Sequence, residues 1–461
     1  MPPPRRPKRS SPPSKPSGRP SGYAARAAAI ACLSSILDRG RPLDDAFEAA
    51  IGKAGPLEAR DRAFARLLVM TVLRHKGELD AVVSTFLDRT PPDSGSLMPI
   101  LLSAAAQLLI LDTPPHAAIS LAVDLCRADP KARRFHGLTN AVLRRVSSEG
   151  KALLGDLDPV TANLPDWLLT RWRDTYGEET AREIAAASLT EAPLDLSVKG
   201  DAEAWAERLG GRLLATGTFR LSRAEAGRVE ALAGYRDGAW WVQDAAAALP
   251  ARLLAPCAGQ EIADLCAAPG GKTAELAAAG ARVWAVDQSP ARLTRLKENL
   301  TRLKLDADVV EADVRTWEPG RLFDGVLLDA PCSATGTIRR HPDILHLRRK
   351  DDTSQRVALQ ERLLDKAADL VRPGGRLVYC VCSLEPEEGE RQIAKFLAAR
   401  PAFVRLPIAA GEAGIDRSWI TLEGDLRTLP FHLPHAEPEL SGLDGFYAAR
   451  LVRQEPGYAQ S

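Results

Sequence analysis

The stretch Asp264-Leu265-Cys266-Ala267-Ala268-Pro269-Gly270-Gly271-Lys272-Thr273 decides how this chain folds. It joins an apolar run, Glu261 to Cys266, to a helical pattern, and so reads as strand, glycine turn and helix start. Glycines at such a turn let a ligand approach the backbone, while the free N–H groups of a helix start favour a carboxylate or phosphate. A phosphate-binding P-loop is excluded, because no glycine stands among Leu265 to Pro269. No G-x-G-x-x-G offers a dinucleotide site either.

Outward from that turn, further strand runs follow at Arg282 to Asp287, Ala307 to Ala312, Phe323 to Asp329 and Arg376 to Cys382, with helical segments between them. After Asp287, Ser289 can cap a helix and Pro290 sits where its missing N–H costs nothing; Leu293, Leu296, Leu300 and Leu303 then share one face. A second helix is expected over Thr353 to Val371, with Leu359, Leu363, Ala367 and Leu370 inward. Such alternation builds a doubly wound α/β sheet of the Rossmann-like kind, which binds ligands beyond the carboxyl ends of its strands. Acids recur there: Asp264, Asp287, Asp313 and Asp329 read as a row of carboxylates facing one ligand. Asp287 suits two ribose hydroxyls and Asp313 an adenine amino group. S-adenosylmethionine, an adenosine carrying an amino acid, satisfies loop and acids together. Gly445 to Leu451 is expected to add an edge strand after Phe403 to Leu406.

The length, 461 residues, exceeds what one core serves and predicts a multidomain chain. Residues 1–22 read as a disordered basic tail, rich in proline and lacking acids; 23–150 as an all-α bundle of five or six helices; 151–240 as a connecting α/β subdomain; and 241–461 as the ligand-binding domain. With 45% hydrophobic and 26% charged residues and a net charge of +1, no global pull toward nucleic acid exists, so any basic surface is local. Leu97 to Leu111 is too short and too interrupted for a membrane span and reads as a buried helix. No membrane association and a cytoplasmic location are expected.

Seven cysteines, odd in number and scattered, fit neither a disulfide framework nor a zinc finger. Cys332, after Asp329-Ala330-Pro331, and Cys382, after Cys380-Val381, fall at strand ends beside the ligand loop, where thiols read as a nucleophile and its helper. Each has a plainer reading: Cys332 as a small buried hydrophobe, Cys380 as core, and Cys380-x-Cys382 as a metal half-site lacking a second ligand pair, so no metal is expected. Arg339-Arg340-His341 and Arg348-Arg349-Lys350 read as a rim for an RNA backbone, with a solvated charge run as the alternative. Lys131-Ala132-Arg133-Arg134 and Arg144-Arg145 divide between the same two readings. His116 reads as a helix cap.

Taken together, the motifs resemble the RsmB/Sun-type methyltransferases, which carry a NusB-like RNA-binding domain ahead of the catalytic one. The residues that carry the resemblance are Gln243-Asp244, Asp264 to Thr273, Asp329 to Gly336 followed by Arg339 to Asp343, Cys382-Ser383-Leu384-Glu385-Pro386-Glu387-Glu388, and Asp444-Gly445-Phe446-Tyr447. Asp61-Arg62, Leu73-Arg74, Pro115-His116-Ala117-Ala118 and Asn140-Ala141-Val142-Leu143-Arg144 resemble the NusB-like part. The resemblance implies S-adenosylmethionine-dependent methylation of cytosine carbon 5 in 16S ribosomal RNA, with no obligatory protein partner evident. It implies that Cys266, Ala267, Ala268, Pro269, Gly270, Gly271, Lys272, Asp287, Asp313 and Asp329 contact the cofactor. Cys382 is then the nucleophile and Cys332 assists its release. Carbon 5 is too electron-poor to accept a methyl group unaided, so a thiolate must first add to carbon 6, and Asp329 is the candidate to stabilise the resulting ring at nitrogen 3. The chain departs from the family at Val381, where threonine is usual, and at Ser197-Val198-Lys199, where Arg-Val-Asn is expected. A transfer RNA or DNA substrate, or an RNA-binding module with a vestigial catalytic half, are the rival readings.

Overall fold

The computed structural model describes residues 22–87, 89, 91–222 and 227–455. The basic tail expected over residues 1–22 lies outside these, save Gly22. The chain divides into two compact units, one ending at Leu157 and the other starting at Asp158.

Helices are the regular elements of the first unit among its described residues, which include no strand. Its centre is Leu97–Leu109, buried at every position except Met98, as an all-round apolar helix must be. Around it pack Tyr23–Arg39, Ala59–Arg74, Lys76–Thr85, Pro115–Ala128 and His136–Gly155. This last helix carries the unit past the expected end at residue 150, because Lys151 to Leu154 hold no breaker. Leu43–Ala54 also belongs here, so the described residues contain more α-helices than the five or six expected.

The second unit opens on Pro159–Asn163, whose N-terminus is capped by the Asp158 carboxylate, followed by Asp166–Tyr176 and Glu178–Ser188. A small antiparallel sheet comes next, built from β1 (Leu194–Val198), β2 (Arg212–Leu213), β3 (Phe219–Leu221) and β4 (Trp240–Val242) in the order β2-β3-β1-β4.

The main sheet is formed by β5 (Glu261–Leu265), β6 (Arg282–Asp287), β7 (Asp308–Glu311), β8 (Phe323–Asp329), β9 (Val371–Val381), β10 (Phe403–Arg405), β11 (Leu426–Thr428) and β12 (Phe446–Arg453). Its order is β10-β12-β9-β8-β5-β6-β7, with β11 beside β12. From β7 to β9 neighbours run parallel; β12 runs antiparallel to β9 and β10. The chain leaves β5 in one direction through β6 and β7 and returns on the other side as β8 and β9. That reversal opens a crevice beyond the carboxyl end of β5.

Two expectations are corrected. The strand at 445–451 is no edge: β12 lies inside the sheet and is buried from Phe446 to Leu451, because β9 pairs with it on one side and β10 and β11 on the other. β9 begins at Val371 rather than Arg376, its pairing with β8 shifting register between Phe323 and Gly325 around Pro373-Gly374-Gly375. The helix after β6 follows its sequence signals. Ser289 accepts from the Arg292 N–H at its start, Leu293, Leu296, Leu300 and Leu303 are buried, and Lys304 closes it in the left-handed region. The second predicted helix spans Asp352–Asp369 and covers the β5, β8 and β9 face through Leu363, Leu364 and Ala367, while Ala245–Leu253 covers the other. No helix among the described residues is long and apolar enough to cross a membrane.

Candidate functional site

The turn after β5 starts with Cys266 at φ 61 and reaches Gly270 at φ 101, the residue that opens the helix Gly271–Ala278. A Cβ on Gly270 would lie 3.0 Å from Leu296, so glycine serves both the left-handed backbone and the close packing of the next helix. Asp287 holds this turn from the neighbouring strand. Its carboxylate accepts the Ala268 N–H at 3.2 Å and the Ser289 N–H at 2.9 Å.

A cleft of about 530 Å³ lies beyond the strand ends, walled by Cys266, Asp287, Asp313, Pro331, Arg356 and Leu359 among others. Of the expected cofactor residues, Cys266, Asp287 and Asp313 line it. Ala267 and Ala268 are buried, and Lys272 turns away to Asp329. Asp313 is gripped by the Arg315 guanidinium, whose hydrogen bonds lower its pKa. The expected row of four carboxylates is not formed. Asp264 is fully buried, accepts the Thr273 hydroxyl at 2.6 Å, and is pushed up to about 7 by burial, so it belongs to the interior rather than the cleft.

Beside the cleft, the Cys332 and Cys382 sulfurs lie 3.4 Å apart. Cys332 is 9% exposed, and its hydrogen bond to Cys382, together with burial, raises its pKa well above the thiol range. At that distance either sulfur can donate to the other. The Lys272 ammonium lies 2.8 Å from Asp329. Burial works against its charge, but the Asp329 carboxylate outweighs that and raises its pKa. Cys380 is fully buried and donates to the other Asp329 oxygen at 3.6 Å, so it is core with one polar contact. No metal-binding group of three or more ligands occurs among the described residues.

Glu388, fully buried, ties the two thiol segments together. It accepts the Ser333 N–H at 2.9 Å, the Ser333 and Ser383 hydroxyls at 2.5 Å each, and the Gln360 amide at 3.1 Å. Glu388 follows Cys382 by six residues, a spacing that carries no signal in the sequence of what the glutamate binds. The helix Asp166–Tyr176 supports the same segment: Arg171 pairs with Glu385 and Glu387, and Trp172 donates to Glu385 at 3.3 Å. Gly336 meets Gly445 so closely that a Cβ on Gly336 would fall 1.8 Å from the Gly445 carbonyl oxygen.

The expected RNA rim is corrected in part. Arg339 is 1% exposed and pairs with Asp444 at 2.9 Å and Asp244 at 3.3 Å; Arg340 binds the same two acids at 3.1 and 2.5 Å. These arginines fasten the Gln243-Asp244 and Asp444-Gly445 segments, because buried charges must be paired. Arg349 and Lys350 are exposed, whereas Arg348 turns to the Ser333 carbonyl. His116 makes no helix-capping bond; it lines a groove of the first unit with Ser120, Asp124, Arg127, Asn140 and Arg144. The departures from the family pattern are accommodated: Val381 is fully buried among apolar neighbours, and Lys199 donates to the Leu303 carbonyl.

The family model described as 16S rRNA methyltransferase RsmB/F matches residues 251–452, and the NusB family model matches residues 23–148. The Pseudomonas putida protein named ribosomal RNA small subunit methyltransferase B is 36% identical over 449 residues, covering 93% of this chain and 98% of that protein. Its Xanthomonas campestris namesake is 37% identical over 419 residues, covering 86% and 93%. The crystal structure of PH0851 superimposes with a TM-score of 0.73 at 24% identity, over 94% of this chain and 99% of that one. A glycine turn bonded to Asp287 beside a cleft, two touching thiols, and these relatives spanning nearly the whole chain place it in the RsmB/F family of 16S rRNA methyltransferases, with a NusB family domain at its N-terminal side.

Proposed function

We propose that this chain methylates carbon 5 of a cytosine in 16S ribosomal RNA, using S-adenosylmethionine and a covalent Cys382 adduct. The observation that carries the reading is the 3.4 Å approach of Cys332 to Cys382, just beyond the ends of the neighbouring parallel strands β8 and β9. Two sulfurs in contact can pass a proton between them, which lets one attack as a thiolate while the other keeps the proton.

The cofactor fits the residues present. Asp287 offers carboxylate oxygens at the end of the second parallel strand, and Cys266, Asp313 and Pro331 wall a cleft of suitable size. When bound, S-adenosylmethionine supplies the methyl group that carbon 5 receives.

The Cys382 thiolate adds to carbon 6, and the displaced ring electrons make carbon 5 nucleophilic. Ring nitrogen 3 takes up a proton as that charge develops, supplied by the Lys272 ammonium through the Asp329 carboxylate it touches, and returns it along the same path when the sulfur leaves. Once carbon 5 carries its methyl group it must lose a proton. Cys332 takes it while passing its own to the departing Cys382 sulfur, which restores ring aromaticity and leaves both sulfurs as thiols. A thiolate must reach one face of the base, so the cytosine is unstacked or flipped, in a loop or junction. The NusB-family unit, where the Pro115-His116 and Asn140 to Arg144 motifs meet at one groove, would supply RNA affinity and orientation.

Bisulfite sequencing of ribosomal RNA from a deletion strain, with and without the gene restored, tests this reading. One cytosine that loses protection on deletion and regains it on complementation is expected; an unchanged small-subunit RNA refutes it.

A further inference from the structure

Two guanidinium groups converge on the backbone that carries Cys332. Arg348, just after the short helix Ile344–Leu347, donates from Nε to the Ser333 carbonyl at 2.8 Å; Arg356, on the helix Asp352–Asp369, donates from Nη1 to the Cys332 carbonyl at 3.4 Å. Elsewhere around these loops arginines are neutralised by carboxylates, as Arg171, Arg339, Arg340 and Arg427 are. Arg348 and Arg356 form no ion pair among the described residues. The nearby acids are engaged: Glu388 by Ser333, Ser383 and Gln360, and Asp352 by the Arg349 N–H. Burial and the Arg356 charge lower the pKa of Arg348, and Arg356 Nε is buried without a partner. The Arg348 and Arg356 charges repel, and although Asp352 and Glu388 lie near enough to act on Arg348, neither is paired with it, so an anion joining both guanidinium groups would be stabilised. The exposed Arg349 and Lys350 continue the positive strip toward solvent.

We propose that Arg348 and Arg356 form an anion subsite that grips a backbone phosphate next to the cytosine being methylated. Guanidinium forks match phosphate oxygens, and a phosphate fixed behind Cys332 would set the depth at which the unstacked base enters. This rests on the RNA methylation proposed above. The same chemistry has a second source, the carboxylate of the cofactor, since Arg356 also lines the cleft. Arg348 does not line it and leads outward to Arg349 and Lys350, which favours the phosphate.

The test uses the full-length enzyme and an RNA fragment containing the protected cytosine, with a methylphosphonate replacing the phosphate on either side in turn. Wild-type methylation of the unmodified fragment first checks the underlying reading on its own. For wild-type enzyme, one of the two neutral linkages is expected to weaken RNA binding about tenfold, the worth of one charge-assisted contact. R348Q and R356Q are expected to weaken binding of the unmodified fragment similarly, to show little further loss on that neutral linkage, and to flatten the salt dependence by about one phosphate's share. S-adenosylmethionine affinity by calorimetry should be unchanged in R348Q, and R348K should recover part of the RNA affinity. If neutral linkage and substitution weaken binding independently, or if the substitutions reduce cofactor affinity instead of RNA affinity, the subsite is refuted even where methylation itself persists.

Discussion

Glu388 takes three hydrogen bonds from Ser333: the N–H reaches both carboxylate oxygens, at 2.9 and 3.1 Å, and the hydroxyl adds a third at 2.5 Å. Ser333 follows Cys332, and Ser383, which also donates to Glu388, follows Cys382. One buried carboxylate therefore fixes the separation of the two sulfurs. E388Q keeps the shape but loses acceptor capacity and leaves buried donors short of partners, at about 1–3 kcal/mol. Thermal unfolding should fall accordingly, and kcat should drop about ten- to a hundredfold if thiol placement carries that energy. Cofactor titration should be unaffected, and a fully active E388Q would contradict the linkage.

The thiol pair makes opposite predictions for its members. C382A should abolish methyl transfer and form no adduct. C332A should retain addition but fail to release, leaving a protein–RNA complex that survives denaturing electrophoresis in the presence of cofactor. Trapping by C382A in place of C332A would exchange the two roles.

Asp264 gives a pH-dependence with a defined sign. Its folded pKa, about 7, lies above the ordinary carboxyl value of 3.8, so the native state holds a proton that the unfolded chain releases. Stability from this group is fully present below pH 3.8 and is lost as pH rises toward 7, by on the order of a few kcal/mol. In D264N the neutral form persists, so the difference in melting temperature between variant and wild type should move in the variant's favour across that window. A constant difference from pH 4 to 7 would show that Asp264 is ionised in the fold.

Arg339 and the exposed pair Arg349 and Lys350 should separate structure from RNA binding. R339Q leaves Arg340 alone holding both Asp244 and Asp444 and should destabilise by about 1–3 kcal/mol. Alanine at both Arg349 and Lys350 should leave the melting temperature within a degree or two and lower RNA affinity at low salt. The reverse pattern, tested by calorimetry and filter binding, would return Arg339 to the RNA rim.

The sequence by itself determined the elements and the chemistry available. The interrupted apolar run Leu97 to Leu111 marked an interior helix, Ser289-Pro290 marked a helix start, and the run from Asp264 to Thr273 announced a strand-turn-helix cradle, because these signals act over a few residues. Cys332 and Cys382 were legible as candidates through their positions at strand ends. Their contact was not, since it joins residues fifty positions apart and depends on β8 and β9 pairing in parallel. Tertiary structure alone decided that Arg339 and Arg340 are interior clamps while Arg349 and Lys350 face water, for a run of basic residues looks the same whichever way it turns. It also placed β12 within the sheet and set Glu388 between two serines. Burial and long-range pairing assign those roles, and neither is written in local sequence.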